Sequence, residues 1–142
     1  MQSLLTRNNL GFLLAKAIQH WNEHLYAGFC ERGYGQVRPS YGSILIPLFE
    51  EDGLRIGELA KRSKLSKQTM TTMVRLVERD GLVKRRPDVE DRRAMRVFLT
   101  RTAQAFRPIA DAVLADLEVE AQKVGSASEL KAVRNWLERF AQ

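Results

Sequence analysis

Residues 56–100 of this 142-residue chain read IGELAKRSKLSKQTMTTMVRLVERDGLVKRRPDVEDRRAMRVFLT. The stretch predicts two helices separated by a short turn, the first over residues 56 to about 63 and the second beginning at Ser66, a favourable N-cap. The second helix ends before Gly81, which suits a left-handed C-cap. Two strand-like runs follow over residues 82–86 and 94–99. The pattern is typical of a helix-turn-helix followed by a β-hairpin.

Positive charge is concentrated in the same part of the chain. Between Leu54 and Arg101 lie 14 of the 23 Lys and Arg residues but only 6 of the 17 acidic residues, a net charge of +8. The remaining residues together carry −2. A basic module of this kind indicates a surface that lies on a polyanion, and its layout favours duplex DNA as the partner.

The composition of the whole chain is ordinary for a globular protein. Hydrophobic residues make up 44% and charged residues 28% of the sequence, which predicts a single domain with a substantial core. No apolar run approaches the ~20 residues needed to cross a bilayer, and the N-terminal residues lack a signal-peptide pattern. The single cysteine fits a reducing compartment. We therefore expect a cytoplasmic protein with no membrane partner, no metal and no cofactor.

The second helix of the pair has one apolar and one polar face. Met70, Met73, Val74 and Val77 recur at helical spacing and predict the buried face. In a helix-turn-helix the second helix enters the major groove, where Gln can pair with adenine and a Thr methyl can touch thymine. The predicted base-reading residues are Ser66, Gln68, Thr69, Thr71 and Thr72, and the predicted phosphate contacts are Lys67, Arg75 and Arg79.

The hairpin carries six basic side chains near its strands. A hairpin beside such a helix can lie along the DNA backbone and place an arginine in the narrow minor groove. Asp91 lies near the hairpin tip, close enough to hold an arginine side chain in a fixed pose, and aspartate is also typical of turns. The alternative interpretation is that the polar face of the preceding helix is an ordinary solvated surface. The basic cluster of the hairpin makes that interpretation weaker. The six residues are Lys84, Arg85, Arg86, Arg92, Arg93 and Arg96.

Long amphipathic helices are predicted on both sides of this module. One covers residues 8–30, another begins after Thr100, and a third starts at a capping box of Ser126 and Glu129. Apolar residues in the last helix are spaced 3, 4 and 3 apart, as in a coiled-coil seam, so we expect a homodimer. Residues 1–35 and 100–142 are then dimerisation helices, and residues 36–99 are the DNA-binding lobe. The predicted dimerisation residues are Leu4, Leu5, Leu10, Leu130, Val133, Leu137 and Phe140.

The stretch 56–100 resembles the winged helix-turn-helix of the MarR-type bacterial transcription regulators. Its strongest part is DRRAMRVFLT, residues 91–100, which is similar to the family's wing motif D-x-R-(A/S)-x-x-V-x-L-T. The tract LAKRSKLSKQTMTTMVRLVERDGLV, residues 59–83, is similar to the family's paired helices. The resemblance implies a mainly α (α+β) fold and an obligate homodimer. Two recognition helices and two wings would then grip a pseudo-palindromic operator.

The resemblance also assigns roles at the wing and marks departures. Asp91 and Arg93 match the family's wing-tip pair, so Arg93 is the implied minor-groove residue. The turn between the paired helices usually contains glycine where this chain has Lys64, and Ala103 stands at another position where glycine is frequent. Pro47 is unusual as well, as is Pro108, and Pro47 is expected to bend the helix predicted after residue 39.

Aromatic and imidazole side chains predict an effector site. In related regulators, the cleft between the dimer helices and the DNA-binding lobe takes small aromatic or phenolic effectors. His20, Trp21, His24 and Tyr41 combine apolar faces with few hydrogen-bonding edges, and this mixture suits a small aromatic acid or phenol. The protein is then a ligand-responsive repressor, although the same residues also fit a plain core.

Three other functions compete with this one. His20, Glu23 and His24 have the H-x-x-E-H spacing of a zinc hydrolase, although such a peptidase needs a further ligand. Cys30, late in the first helix, would make the protein a redox-responsive regulator. A winged-helix module that binds protein instead of DNA is the third. Zinc content, oxidation of Cys30 and salt-sensitive DNA affinity separate these functions.

Overall fold

The computed structural model describes all 142 residues and consists of helices with one small antiparallel sheet. No helix is both long and apolar enough to cross a lipid bilayer. The mainly helical fold with a helix-turn-helix and a wing is the one that the sequence predicts. In chain order the elements are α1 (Leu10–Glu31), a 3₁₀ turn (Pro39–Tyr41), α2 (Gly42–Glu50), β1 (Leu54–Arg55), α3 (Ile56–Arg62), α4 (Lys67–Arg79), β2 (Val83–Pro87), β3 (Met95–Leu99), α5 (Arg101–Val124) and α6 (Ala127–Phe140).

The chain forms two compact units, one of residues 1–25 and 111–142 and the other of residues 26–110. The second unit contains the helix-turn-helix and the wing, and it is larger than the predicted lobe of residues 36–99. It includes the end of α1 and the start of α5 because Phe29 packs edge-on against Phe106, with ring centroids 4.8 Å apart. Tyr34 lies 5.2 Å from the same ring. The dimerisation role of the first unit stays a prediction.

The apolar face of α4 lies where its spacing places it. Met70, Val74 and Val77 are fully buried, and Met73 is half-buried. Burying side chains of this size stabilises a fold by about 1.5–3 kcal/mol each. Because these side chains point into the core, the opposite face of α4 must face solvent.

Local signals set both ends of α4. The Ser66 hydroxyl accepts a hydrogen bond from the Thr69 N–H at 3.0 Å, as an N-cap does. At the other end Gly81 has φ +85°, and its N–H donates to the Glu78 carbonyl at 3.0 Å. Both predicted boundaries of the helix are therefore confirmed.

The turn between α3 and α4 requires a left-handed residue, and Lys64 supplies it. Lys64 has φ +54°, the conformation for which glycine is usual at this point. The turn closes with the Leu65 N–H donating to the Ala60 carbonyl at 3.0 Å. A side chain in this conformation costs about 1–2 kcal/mol, which the packing of α3 against α4 offsets.

The hairpin forms as predicted, and a third strand joins it. β2 and β3 pair antiparallel with Val83 opposite Leu99, and each strand begins one residue later than predicted. β1 pairs with the other edge of β3, with Leu54 opposite Val97, so the strand order is β1-β3-β2. The sequence did not indicate β1, because two residues carry no measurable alternation.

Pro47 lies inside α2 and leaves one carbonyl without its helical partner. The missing N–H is the one that would have bonded the Ser43 carbonyl, four residues earlier. The Ser63 hydroxyl donates to that carbonyl instead, at 3.3 Å. Because Ser63 is the C-cap of α3, this hydrogen bond to the carbonyl that Pro47 leaves free links α2 to the end of α3.

The face of α6 that the sequence assigns to a dimer has no cover within the chain. Val133 is 50% and Phe140 65% exposed, and no residue of α6 is buried. The predicted capping box is confirmed, since Ser126 and Glu129 satisfy each other's backbone N–H. Leu4, Leu5, Leu10 and Leu137 are also exposed, and Leu130 is half-buried.

We predict that Gly53→Ala destabilises the protein. Gly53 has φ +74°, and a Cβ there would lie 2.8 Å from Cε1 of Phe98. The backbone strain alone should cost about 1–2 kcal/mol. Gly57→Ala is the matched control, because a Cβ at this helical position meets nothing within 4 Å and should stabilise by up to about 1 kcal/mol. Denaturant unfolding at one protein concentration measures both, and equal stability of Gly53→Ala and the wild type would contradict the packing described.

Candidate nucleic-acid interface

The polar face of α4 is the first part of the candidate interface. Its exposed residues bring three cations and an amide to one surface, and Thr71 beside them is half-buried. The side chains of Gln68 and Arg75 make no hydrogen bond or ion pair within the chain. They are therefore available to an external partner. The exposed residues are Lys67, Gln68, Thr69, Thr72, Arg75 and Arg79.

The hydroxyl groups of this face are already engaged with the helix. The Thr71 hydroxyl donates to the Lys67 carbonyl at 2.8 Å, and the Thr72 hydroxyl donates to the Gln68 carbonyl at 3.1 Å. The Ser66 hydroxyl acts as the N-cap described above. The two threonines therefore offer a ligand their methyl groups and oxygen lone pairs, whereas Gln68 can both donate and accept.

A hydrogen bond outside the helix fixes the C-terminal end of α4. Asp80, the C-cap of α4, accepts a short hydrogen bond from the hydroxyl of Tyr41, which is only 6% exposed. Arg79 Nε donates to the same carboxylate at 3.4 Å. A carboxylate at this end of a helix opposes the helix dipole, and the two donors offset that effect. The bond ties α4 to the turn that precedes α2.

Two of the six basic residues of the wing are half-buried and pair with Glu78 and Asp88. Arg85 Nε lies 2.9 Å from Glu78 Oε1, and the Arg85 N–H donates to the other oxygen at 3.0 Å. Arg96 Nε donates to Asp88 at 3.2 Å, and Arg96 Nη1 donates to the Gly53 carbonyl at 2.8 Å. These two arginines therefore hold the wing together. The four exposed basic residues are Lys84, Arg86, Arg92 and Arg93.

The wing tip presents Arg93 in a defined pose. Arg93 Nε donates to Asp91 Oδ1 at 3.2 Å, and the Arg93 backbone N–H donates to the same oxygen at 3.1 Å. The Arg93 side chain nevertheless remains 93% exposed. Asp91 and Arg93 are thus the neighbours that the sequence predicted. Their role at DNA stays a prediction.

Asp88 is a residue that the sequence analysis missed. It reads as one more polar residue of the hairpin tip, yet it is 2% exposed and lies between Arg55 and Arg96. Arg55 belongs to β1, the strand that carried no sequence signal. An aspartate flanked by arginines distant in the sequence becomes recognisable only once the three strands are aligned.

Nearby donors keep the carboxylates of this unit ionised. The Tyr41 hydrogen bond lowers the pKa of Asp80, while burial and the bond to Asp80 raise the pKa of Tyr41. The Arg85 N–H, helped by the guanidinium, lowers the pKa of Glu78. Burial pushes the pKa of Asp88 upward, but a backbone N–H and two guanidinium groups outweigh it and leave that pKa below its ordinary value.

The four predicted effector residues have different environments. His20 and His24 are exposed, their rings are 4.2 Å apart, and His24 Nδ1 lies 2.9 Å from the His20 carbonyl oxygen. Trp21 is half-buried. Tyr41 belongs to the other compact unit, and its hydroxyl is engaged with Asp80. An effector role for these residues stays a prediction.

The residues of the competing functions can also be located. No group of three or more His, Cys, Asp or Glu side chains comes together as a metal site would require, and Glu23 accepts a hydrogen bond from Gln19 at 3.2 Å. Cys30 is a free, exposed thiol. The Tyr26 hydroxyl donates a hydrogen bond to the Gly35 carbonyl at 2.5 Å, and the nearby Cys30 thiol, helped by burial, raises the pKa of that phenol.

We predict that Tyr41→Phe weakens the fold mainly above acidic pH. Because Asp80 has a lower pKa in the folded protein, its bond stabilises the fold above the ordinary aspartate pKa of about 3.9 and is lost as the pH falls through the folded-state pKa. The variant should lose about 1.5–3 kcal/mol at neutral pH and approach the wild type as the pH falls through the lowered folded-state pKa of Asp80.

Tyr34→Phe is the matched control, because the hydroxyl of Tyr34 donates no hydrogen bond within the chain. Urea unfolding at pH 7 and at acid pH measures both variants. A deficit of Tyr41→Phe that is equally large at both pH values would show that the carboxylate is not involved.

Comparisons with known proteins agree with this architecture. Residues 39–95 match the model of the MarR family. The HTH-type transcriptional repressor YetL of Bacillus subtilis (strain 168) is 36% identical over 96 residues, which cover 66% of this chain and 54% of YetL. The chain therefore aligns with only about half the length of this curated relative.

Solved structures share the fold over nearly the whole chain. The transcriptional repressor CouR, bound to a 23-mer DNA duplex, has a TM-score of 0.82 at 22% identity and covers 99% of this chain and 100% of its own. The PcaV regulator from Streptomyces coelicolor, in complex with its natural ligand, has a TM-score of 0.79 at 19% identity and covers 99% of this chain and 97% of its own. Residues 39–95, which include the paired helices and the first residues of the wing motif, match the MarR family model, and the fold shared with these structures extends over nearly the whole chain.

Proposed function

We propose that this protein regulates transcription by binding operator DNA and that it acts as a repressor in the cytoplasm. The observation that carries the proposal is one compact unit that combines the exposed polar face of α4 with a wing tip presenting Arg93. YetL is named a repressor, and CouR was solved on a DNA duplex. Both names support DNA binding over catalysis.

In this proposal α4 lies in the major groove. Gln68, near the N-terminal end of α4, offers an unengaged amide whose oxygen and nitrogen match the donor and acceptor of adenine. The methyl groups of Thr69 and Thr72, both exposed, then contact thymine. Lys67 and Arg75 then neutralise phosphates, which fixes the position of the protein without reading sequence.

The wing lies in the adjacent minor groove. Arg93 is exposed while Asp91 restrains it, so little conformational freedom is lost when the side chain enters the groove. A narrow minor groove has enhanced negative potential, which attracts arginine. Arg92, Arg86 and Lys84 lie along the same wing and supply further charge for the backbone.

A homodimer presents two such units to a pseudo-palindromic operator. The uncovered stripe of α6 with the exposed leucines at residues 4, 5 and 10 supports this assembly, because a large apolar patch on a soluble protein marks an interface. A two-fold axis relates the recognition helices, so half-sites lie about one helical turn apart.

An enzyme and a protein-binding module are the competing classes. The zinc-hydrolase pattern of His20, Glu23 and His24 lacks the third ligand that such a metal site needs. A module that binds only protein would show no salt-dependent affinity for duplex DNA, whereas phosphate contacts make affinity fall steeply with salt.

Control by a small ligand is the finer proposal. PcaV was solved with its natural ligand, and Trp21 with the two histidines offers aromatic faces with few polar edges. A small aromatic acid at Tyr41 would compete with Asp80 for the phenol hydroxyl. Oxidation of Cys30 is the alternative signal, supported by its exposure.

We predict that Arg93→Ala lowers operator affinity with a cost of about 1–3 kcal/mol. Gln68→Ala should reduce the preference for operator over random duplex more than it reduces affinity for random duplex, because the amide reads bases. Fluorescence anisotropy on a duplex selected from random sequence measures both affinities. Lys131→Ala removes one positive charge, as Arg93→Ala does, but from the exposed side of α6. It should change neither the operator affinity nor the preference for operator over random duplex. Equal losses on operator and random DNA for Gln68→Ala would show that Gln68 reads no base.

We predict that Leu137→Glu converts the dimer to a monomer at low micromolar concentration. Leu137 is 39% exposed within the chain, and a charge buried at an apolar interface costs several kcal/mol. Asn135→Glu, on the opposite face of α6, is the control and should remain dimeric. Sedimentation velocity gives the state of each variant, and dimeric Leu137→Glu would place the interface elsewhere.

A further inference from the structure

We infer that Asp88 is the positioning residue of the wing: its buried carboxylate, clamped between Arg55 and Arg96, holds the tip where Arg93 meets the minor groove. The inference rests on the proposed DNA-binding function and adds a residue outside the tip pair itself. Asp88 touches no DNA in this proposal. It acts through the shape of the wing.

The burial of Asp88 is unusual for its place in the chain. Next to it, Val89 is 93% exposed, and Pro87 and Glu90 are exposed as well, while Asp88 is 2% exposed. A hairpin tip normally leaves its polar residues in water, and a buried charge is retained only when it is paired and hydrogen-bonded.

The carboxylate is paired on both oxygens. Oδ1 accepts from Arg96 Nε at 3.2 Å and from the Glu90 N–H at 3.3 Å. Oδ2 accepts no hydrogen bond and is held only by its short ion pair with Arg55 Nη2. The Asp88 backbone N–H also donates to the Ala94 carbonyl across the hairpin at 2.8 Å. These bonds close the loop that carries Arg93.

The same group joins the tip to the helix-turn-helix. Arg55 lies opposite Arg96 in the β1–β3 pairing and is the N-cap of α3, and Arg96 Nη1 donates to the Gly53 carbonyl at 2.8 Å. The ion pairs therefore run from the wing tip to the residue that begins α3. The distance between the wing and α4, which sets the spacing of minor- and major-groove contacts, depends on this connection.

The charge change made by Asp88→Asn distinguishes a positioning role of Asp88 from a merely structural one. Asp88→Asn leaves Arg55 and Arg96 without a counter-charge and raises the net charge of the wing by one. Added positive charge strengthens sequence-independent binding to phosphates. A displaced tip weakens only the specific complex. The two affinities are therefore expected to move in opposite directions, whereas general destabilisation would lower both.

The experiment compares Asp88→Asn with Glu90→Gln, which makes the same charge change at an exposed residue of the same tip. Anisotropy gives affinities for operator and for random duplex at several salt concentrations. Asp88→Asn should bind operator about tenfold more weakly, within the range expected for losing an arginine contact, and random duplex as tightly as wild type or more tightly. Glu90→Gln should keep the operator preference.

A double-mutant cycle shows whether Asp88 acts through Arg93. In the Arg93→Ala background, Asp88→Asn should change operator affinity by less than roughly twofold, because coupled residues are not additive. An undiminished tenfold loss in that background, or parallel losses on operator and random duplex, would overturn the inference. Absence of any DNA binding by the wild type would instead refute the proposed function.

If circular dichroism shows that Asp88→Asn does not fold, a second variant tests the inference in its place. Arg55→Gln removes one partner and leaves the pair of Asp88 with Arg96. As a single substitution, Arg55→Gln should lower the preference for operator over random duplex. Combined with Arg93→Ala, it should leave that preference unchanged. Lys61→Gln, on the exposed side of α3, controls for the lost charge. An unaltered operator preference in Arg55→Gln would overturn the inference.

Discussion

The burial of one face of α4 is the constraint on which the rest of the interface depends. Met70, Val74 and Val77 are fully excluded from water, and together they fix the rotation of the helix about its axis. A rotation by one residue, 100°, would expose two of them or bury a charge. Gln68 and Arg75 face outward for that reason. In the proposed function, specificity for a DNA sequence is therefore a consequence of hydrophobic packing.

Carboxylates complete the arrangement by dividing the basic residues into two groups. Glu78 and Asp88 hold Arg85 and Arg96 inside the unit, and Asp80 receives the Tyr41 hydroxyl at the end of α4. The remaining cations stay exposed on the wing and the helix. The net positive charge of this segment is thus concentrated on the exposed surfaces of α4 and the wing, and the internal pairs connect these two elements.

Local signals made most of the fold predictable from the sequence. Ser66 and Gly81 bound α4, and Ser126 with Glu129 caps α6, because each of these effects involves residues within a few positions of each other. The features that the sequence did not predict depend on strand pairing between residues far apart in the chain. β1 and the clamp at Asp88 exist only after the strands align. Lys64 also adopts the left-handed conformation that the turn requires, although a residue with a side chain rarely adopts it.

In the proposed complex, α4 and the wing contact one stretch of duplex DNA together, in neighbouring grooves. Hydroxyl-radical footprinting of the wild-type protein on a duplex selected from random sequence shows whether they do. We expect two protected windows about one helical turn apart, each flanked on its outer side by minor-groove protection that disappears when Arg93 is replaced. Uniform protection with no such phasing, or flanking protection that persists without Arg93, would contradict it.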